Sequence, residues 1–384
     1  MKKQLFIMIL NSIILFGCVG ICVNVVPYVQ SQASSACSAL VKLSSFDSVA
    51  SIAKSKFSSY ISSDDTDTTN TRTEDSQEVM NPIGSKDSND DGDDITKTPS
   101  DIAKLMSQAK KTIKESDAVG KTSEESYQGG GTIISYGDLQ IQSKIPSSVY
   151  NPDIKSLLSD GADLTIKDKS KPTILVYHSH TTESYSLLDS GYYISSDARS
   201  KDESRNMVRV GDELVAYLEK AGFNVIHDRE IHDTDYNSSY DSSREVVEKY
   251  LEEYPSIEIT IDVHRDDITY ENKTKVKPTV EINGKKAARM MIISGCEYNR
   301  VKNFPDWEYN LKFDLAVQNK VNDMYSGLMR PILFSERKYN MYETHNSFLL
   351  EIGTDANTLD EACYSARLFG KALGELLNES YVTE

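Results

Sequence analysis

The chain has 384 residues and a formal charge of −17. The length leaves room for two domains, but charge and apolar residues are spread so unevenly that one folded domain is expected. An acid surplus of this size excludes nucleic acid as a partner, because phosphate backbones are bound by basic stripes.

Lys2 and Lys3 precede an apolar span, residues 5–27, broken only by Asn11, Ser12, Asn24 and two glycines. As a helix this span reaches about 35 Å, enough to cross a bilayer's hydrocarbon core. The lysines predict a cytoplasmic stub at 1–4, a transmembrane anchor at 5–27 and an extracytoplasmic remainder. Two processed alternatives stand beside the anchor. The small-residue run at 31–36 is a possible signal-peptide cleavage site. Leu15-Phe-Gly-Cys18 resembles a lipoprotein box, though a poor one, since the apolar run continues past it.

Residues 28–140 are rich in Ser, Thr, Asp and Gly. Within them, positions 61–100 hold eleven Asp or Glu against three Lys or Arg. Such composition buries too little surface to offset chain entropy, so the segment reads as an acidic, disordered linker with one helix near 101–116. It spans on the order of 50–60 Å and holds the folded part near a membrane. Cys18 and Cys22 lie in the apolar span, and Cys37, Cys296 and Cys363 are scattered, so neither a disulfide framework nor thiol chemistry is implied.

The folded domain is expected at 141–384. A first strand at 173–178 is followed by a helix at 206–221, closed by Gly222, and a second strand at 223–226. A helix at 239–254 with Pro255 beyond its end leads to a strand at 257–263. A fourth strand lies in 285–294, a long helix with Trp307 in 303–326, a fifth strand at 349–352 and a last helix at 358–377. Alternating strands and helices predict an α/β fold, a largely parallel twisted sheet flanked by helices.

Three of these strands end on polar residues. Ile174-Leu-Val-Tyr-His-Ser-His-Thr-Thr-Glu-Ser-Tyr185 runs apolar into His178, His180 and Glu183. The strand at 257–263 delivers His264, and the strand at 349–352 carries Glu351. Carboxyl ends of parallel strands lie along one sheet edge, where ligands bind, so the three tips are expected to meet. Nitrogen and oxygen donors gathered there are the ligands of a zinc hydrolase, and Zn2+ is the cofactor expected. His227 and His232, flanked by aspartates, read as loop residues rather than a second metal site. Trp307 reads as packing, and most of the 22 tyrosines as core and rim.

Tyr177-His-Ser-His-Thr-Thr-Glu-Ser-Tyr185, Asp262-Val-His-Arg-Asp266, Asn303-Phe-Pro-Asp-Trp-Glu-Tyr-Asn310 and Glu351-Ile-Gly-Thr-Asp-Ala-Asn-Thr-Leu-Asp-Glu-Ala362 closely resemble the stage II sporulation protein P family. The resemblance covers residues 145–375 and the layout of anchor and tether. His345 stands where a proline is expected, and Thr354-Asp355 where glycine is usual. The family resembles zinc-dependent N-acetylmuramoyl-L-alanine amidases. The resemblance implies a membrane-anchored peptidoglycan hydrolase of sporulation that cuts the amide between stem peptide and muramic acid, and also peptide cross-links. It implies action on septal wall during engulfment, in the intermembrane space, with stage II sporulation proteins D and M as partners.

Three protein ligands and an open position suit a zinc hydrolase. His180, Glu183 and His264 are assigned that task, His180 because it matches the first ligand histidine of the related amidases. His178 is left as alternative ligand or supporting residue, since it shares a face with His180 only if the strand continues through Ser179. Glu183 faces the same centre if Thr181 and Thr182 turn the chain; otherwise it is a capping carboxylate. Glu351 is the expected general base and acid, its pKa raised by apolar neighbours. Arg265 either stabilises developing negative charge or orients a substrate carboxylate, or else pairs with Asp266. Two alternatives remain: a non-catalytic peptidoglycan-binding scaffold that recruits other engulfment proteins, and a zinc peptidase or deacetylase acting on another polymer.

Overall fold

A computed structural model describes residues 94–127 and 129–383. The expected stub, transmembrane anchor and first part of the tether lie outside the described residues. Among those described, no helix is long and apolar enough to cross a membrane.

The described chain begins with α1 (Ser100–Thr112), β1 (Gly120–Glu125), β2 (Thr132–Tyr136), β3 (Leu139–Ser143) and α2 (Ile154–Asp160). Next come β4 (Pro172–Tyr177), β5 (Tyr192–Tyr193), α3 (Met207–Lys220), β6 (Asn224–His227), α4 (Ser239–Glu253) and β7 (Ile259–Asp266). The remainder is β8 (Lys275–Ile282), β9 (Lys285–Ala288), β10 (Met290–Gly295), α5 (Trp307–Met324), β11 (Ile332–Ser335), β12 (Asn346–Thr354) and α6 (Leu359–Ser380).

The helix expected near 101–116 is present as α1, whereas the reading of the rest of 28–140 as disordered linker does not hold for β1, β2 and β3. Ile102 and Ala109, one heptad apart on α1, are both buried, as are Leu139 and Ile141, which share a face of β3. β1 is polar throughout and is held by its backbone, pairing in parallel with β8 from Thr122↔Lys275 to Glu125↔Pro278. Average composition misses a segment attached by a few apolar contacts and main-chain hydrogen bonds.

Eight strands form the main sheet in the order β2-β3-β11-β10-β12-β7-β4-β6, and β5-β1-β8-β9 form a smaller one. In the main sheet β2/β3 and β10/β12 are antiparallel and the other pairings parallel. The largely parallel sheet is therefore present, with an antiparallel step beside β12. The segment 285–294, expected as one strand, is split at Arg289. This side chain is buried and donates to the Gly327 and Met329 carbonyls, which ties the break to a neighbouring loop.

Side chains alternate across the sheet with the two-residue strand period. Ile174 and Val176 of β4, Ile259, Ile261 and Val263 of β7, Met290 and Ile292 of β10, and Phe348, Leu350 and Ile352 of β12 enter one large apolar core with residues of α3, α5 and α6. The residues between them point the other way. Leu175 and Tyr177 meet Val247 of α4, while Met291, Ile293 and Leu349 form a small cluster with Tyr240, Leu333 and Tyr339. Asp262, His264 and Glu351 belong to this second face, which α4 covers only in part. Helices do flank both faces, but unequally, and the lightly covered face carries the polar residues.

Helix ends are fixed by local chemistry. Asn206 caps α3 by accepting from the Val208 N–H. Thr358 and Glu361 form a reciprocal capping box at the start of α6.

Candidate active site

β7 and β12 lie side by side in parallel register, with His264 directly opposite Glu351. Cross-strand partners project from the same face, so the imidazole and the carboxyl are neighbours by construction. Both line a cavity of about 540 Å³, together with His180, Glu183, Arg265, Tyr236, Tyr240, Tyr339 and others.

His180 and Glu183 reach this cavity through a tight turn beyond β4. The Glu183 N–H donates to the His180 carbonyl at 3.0 Å, the Thr181 hydroxyl donates to the His178 carbonyl, and Asp233 accepts from the Thr182 N–H and hydroxyl. Thr181 and Thr182 thus turn the chain, and Glu183 faces inward. His264 Nδ1 lies 3.6 Å from Glu183 Oε2, and the His180 and His264 ring centres are 5.2 Å apart.

His178 goes elsewhere. It is buried, its Nδ1 lies 3.0 Å from the Val263 carbonyl, and its Nε2 lies 2.9 Å from His227 Nε2. It does not line the cavity. As an alternative ligand it is displaced, because β4 ends at Tyr177 and the chain turns before His178 and His180 can share a face. Arg265 is buried and committed. It donates to the Ser184 carbonyl at 3.0 Å and the Ala198 carbonyl at 2.6 Å, and it lies 3.9 Å from Glu183. Its expected pairing with Asp266 is not formed through the carboxylate, which takes Arg330 at 2.9 Å instead. His345, which stands where a proline is expected, precedes β12 at the end away from Glu351, stacked on Tyr309 and paired with Asp163.

Electrostatics divide the acidic groups into two kinds. Burial would raise the Glu183 pKa, but Arg265 and then His264 outweigh it and hold the carboxylate down to about 2. Glu351, only 9% exposed, is pushed up to about 8 by burial and then by the negative charge of Asp266. Burial, followed by the neighbouring charge of His264, lowers His180 to about 4. His264 itself is raised well above the usual imidazole range, since burial is outweighed by Asp262 and Glu183.

Asp262 escaped the sequence reading. It accepts from His264 Nε2 at 2.8 Å, from the Ser179 N–H at 2.9 Å and from the Ser179 hydroxyl at 2.6 Å. Its position two residues before His264 on one strand face was a signal available in Ile-Asp-Val-His. Tyr236 also escaped it. This ring is 56% exposed, stacks on His180 at 4.3 Å and carries the Arg199 guanidinium 4.8 Å from its centre. No local pattern marks a loop tyrosine for that place.

The donor set suits zinc. His180, Glu183 and His264 offer nitrogen and oxygen, and the buried His180 Nδ1 and Glu351 Oε2 have no hydrogen-bond partner. Asp262 on the far nitrogen of His264 is the arrangement that orients metal-bound imidazoles. Among the described residues, no three His, Cys, Asp or Glu side chains are drawn together as a metal-binding group; His264 and Glu183 face one another as an ion pair.

The fold and the site thus define a mixed α/β protein with an imidazole–carboxylate centre toward the carboxyl ends of β4, β7 and β12. The family model for Stage II sporulation protein P (SpoIIP) matches residues 47–374, and the chain belongs to that family. It is 29% identical over 273 residues to Stage II sporulation protein P of Bacillus subtilis (strain 168), a match covering 65% of this chain and 64% of the relative. The match therefore spans under two thirds of that relative's length. Among solved structures, N-acetylmuramoyl-L-alanine amidase AmiC2 of Nostoc punctiforme is 11% identical, covering 56% of this chain and 97% of its own, at a TM-score of 0.32. The CwlD amidase from Clostridioides difficile, solved in complex with the GerS lipoprotein, is 12% identical, covering 54% and 100%, at 0.33. TM-scores this low establish no shared fold.

Proposed function

We propose that this chain is a peptidoglycan hydrolase of sporulation, a zinc-dependent N-acetylmuramoyl-L-alanine amidase that also cuts peptide cross-links. The observation that carries the reading is Glu351 set against His264 on adjacent strands, in one cavity with His180 and Glu183. Membership of the family supports the sporulation setting.

His180, Glu183 and His264 would hold the metal, which when bound supplies a Lewis acid and lowers the pKa of water. Asp262 holds the His264 ring by its Nε2 and leaves Nδ1 turned toward Glu183. Arg265 fixes Glu183 from behind through the Ser184 and Ala198 carbonyls, a positioning task rather than contact with the reacting amide. Glu351, with a pKa near 8, exchanges protons close to neutral pH. It takes a proton from the attacking water and delivers it to the leaving nitrogen. Tyr236 covers His180 and limits water around it.

The reading extends to a single-pass anchor at 5–27, an extracytoplasmic domain at the sporulation septum, and stage II sporulation proteins D and M as partners. The full chain is to be incubated with purified peptidoglycan, with and without a zinc chelator, and the products read by mass spectrometry. Free stem peptides with new alanine amino ends, lost on chelation and restored by zinc, are expected. Absence of release under every condition would turn the reading toward a wall-binding scaffold.

A further inference from the structure

We propose that Arg337 and Lys144 form a carboxylate-recognition subsite at the rim of the cavity, which takes a free carboxylate of the stem peptide in the substrate. The inference rests on the amidase reading and adds to it the substrate group that the site selects.

β3 and β11 are adjacent parallel strands. Lys144 directly follows the first and Arg337 follows the second by two residues. Because β10 and β12 are antiparallel, these strand ends lie at the opposite edge from the carboxyl end of β7. It is the cavity on the sheet face, which both side chains line, that brings them to the site. The Lys144 N–H donates to the Phe334 carbonyl at 2.8 Å, tying the two strand ends together. Both side chains are exposed and both line the cavity that holds Glu351.

Four Lys and Arg side chains line that cavity, and their charges are not equally committed. Arg265 is buried against Glu183, and Arg330 pairs with Asp266. Arg337 donates to the Tyr339 hydroxyl with its guanidinium 5.5 Å from that ring's centre, while the adjacent Glu336 takes Arg300. Lys144 donates to the Gly130 carbonyl. Neither Arg337 nor Lys144 has a carboxylate partner among the described residues. The tyrosine and the carbonyl steady the two side chains without cancelling their charge, which leaves an uncompensated positive rim beside a neutral floor of Met291, Ile293 and Leu333. A guanidinium fork accepts a planar carboxylate through paired bonds, and the ammonium adds a second charge. Stem peptides offer such carboxylates close to the amide that an amidase cuts.

Two soluble muropeptides test this, identical except that the free stem-peptide carboxylates of one are converted to carboxamides. The full chain is expected to favour the carboxylate form by about tenfold or more in kcat/KM. Arg337→Gln should lower kcat/KM for that form by a similar factor, through KM, and leave the carboxamide form nearly unchanged. Arg337→Lys should restore part of the preference, and Lys144→Gln should weaken it less. Equal handling of both substrates by the unmodified chain, or equal slowing of both by Arg337→Gln, overturns the proposal. Failure to cleave either substrate counts against the amidase reading itself. Calorimetric binding of the same two muropeptides then decides the subsite: a carboxylate preference lost in Arg337→Gln sustains it, and equal binding overturns it.

Discussion

Replacing Asp262 separates what the buried carboxylate does for folding from what it does for the site. Its Oδ1 accepts from the Ser179 N–H and from His264 Nε2, and its Oδ2 accepts from the Ser179 hydroxyl, which also touches the Ser243 hydroxyl at 2.7 Å. Asp262→Ala strands the Ser179 N–H and the His264 N–H without acceptors, at about 1–3 kcal/mol each, so a loss of about 2–6 kcal/mol is expected. Asp262→Asn keeps an oxygen for both donors. Its amide nitrogen can donate to the Ser179 hydroxyl, which then donates to Ser243. Only charge assistance is lost, about 1–2 kcal/mol. Zinc affinity should nevertheless fall about 10–100-fold in the Asn variant, because a neutral partner orients and polarises His264 less well. Denaturant unfolding of the full chain and competition for zinc against a chelator measure the two effects separately. An Asn variant that holds zinc as tightly as the parent refutes the orienting role, and equal destabilisation by Asn and Ala refutes the hydrogen-bond accounting.

Glu351→Gln should retain zinc and lose turnover by about 10²–10⁴-fold, whereas His264→Ala should lose both; metal analysis beside product release distinguishes them, and zinc loss in the Gln variant would contradict the division of roles. Asp314 on α5 is fully buried, neither carboxylate oxygen reaches a hydrogen-bond partner, and burial raises its pKa well above the ordinary range. With the folded pKa above the unfolded one, stability falls as pH rises from the unfolded value toward the folded value. Asp314→Asn should therefore gain in Tm over the parent as pH goes from about 4 to 7, and a pH-independent difference would exclude the explanation. Gly353 has φ +65°, and a Cβ there would meet Asn357 Oδ1 at 2.5 Å and the Ala288 Cβ at 2.8 Å. Gly353→Ala should cost about 2–4 kcal/mol in unfolding free energy from backbone strain and overpacking together; an unchanged midpoint would show that the register shift in β12 after Glu351 yields freely.

What the sequence reveals follows from which forces hold each element. β4, β7 and β12 are legible because two-sided burial in a largely parallel sheet demands long apolar runs, and a polar residue at the end of such a run stands out. α3, α4 and α6 announce themselves by spacing and caps. β8 does not, since Lys-Val-Lys-Pro-Thr-Val-Glu-Ile reads as surface. Its Lys277 is nonetheless buried, paired with Glu361 at 2.8 Å and Asp189 at 2.7 Å, contacts with residues distant in sequence. β1 and β5 are likewise held by backbone pairing with distant partners. The same division runs through the site. His180, Glu183, His264 and Glu351 belong to strand ends or the turn beside them, whereas Tyr236, Arg199 and Arg337 arrive on loops whose course only the assembled fold sets.

The unequal faces of the main sheet explain why the polar residues are affordable where they stand. On the face covered by α3, α5 and α6, any carboxylate would be sealed among Leu, Ile and Phe side chains, as Asp314 is on α5. On the other face Asp262 finds Ser179 and His264, and Glu183 finds Arg265, so each buried charge there has a partner. Glu351 is the exception: one of its oxygens is unpartnered, and burial shifts it toward the neutral acid. A fold selected for stability alone would fill that position with another Leu, as at 349 and 350. The residue that breaks the strand's apolar pattern and lacks full hydrogen bonding lies directly across from His264. The proposed role of Glu351 as general base and acid accounts for that coincidence, a carboxyl placed for chemistry at the expense of packing.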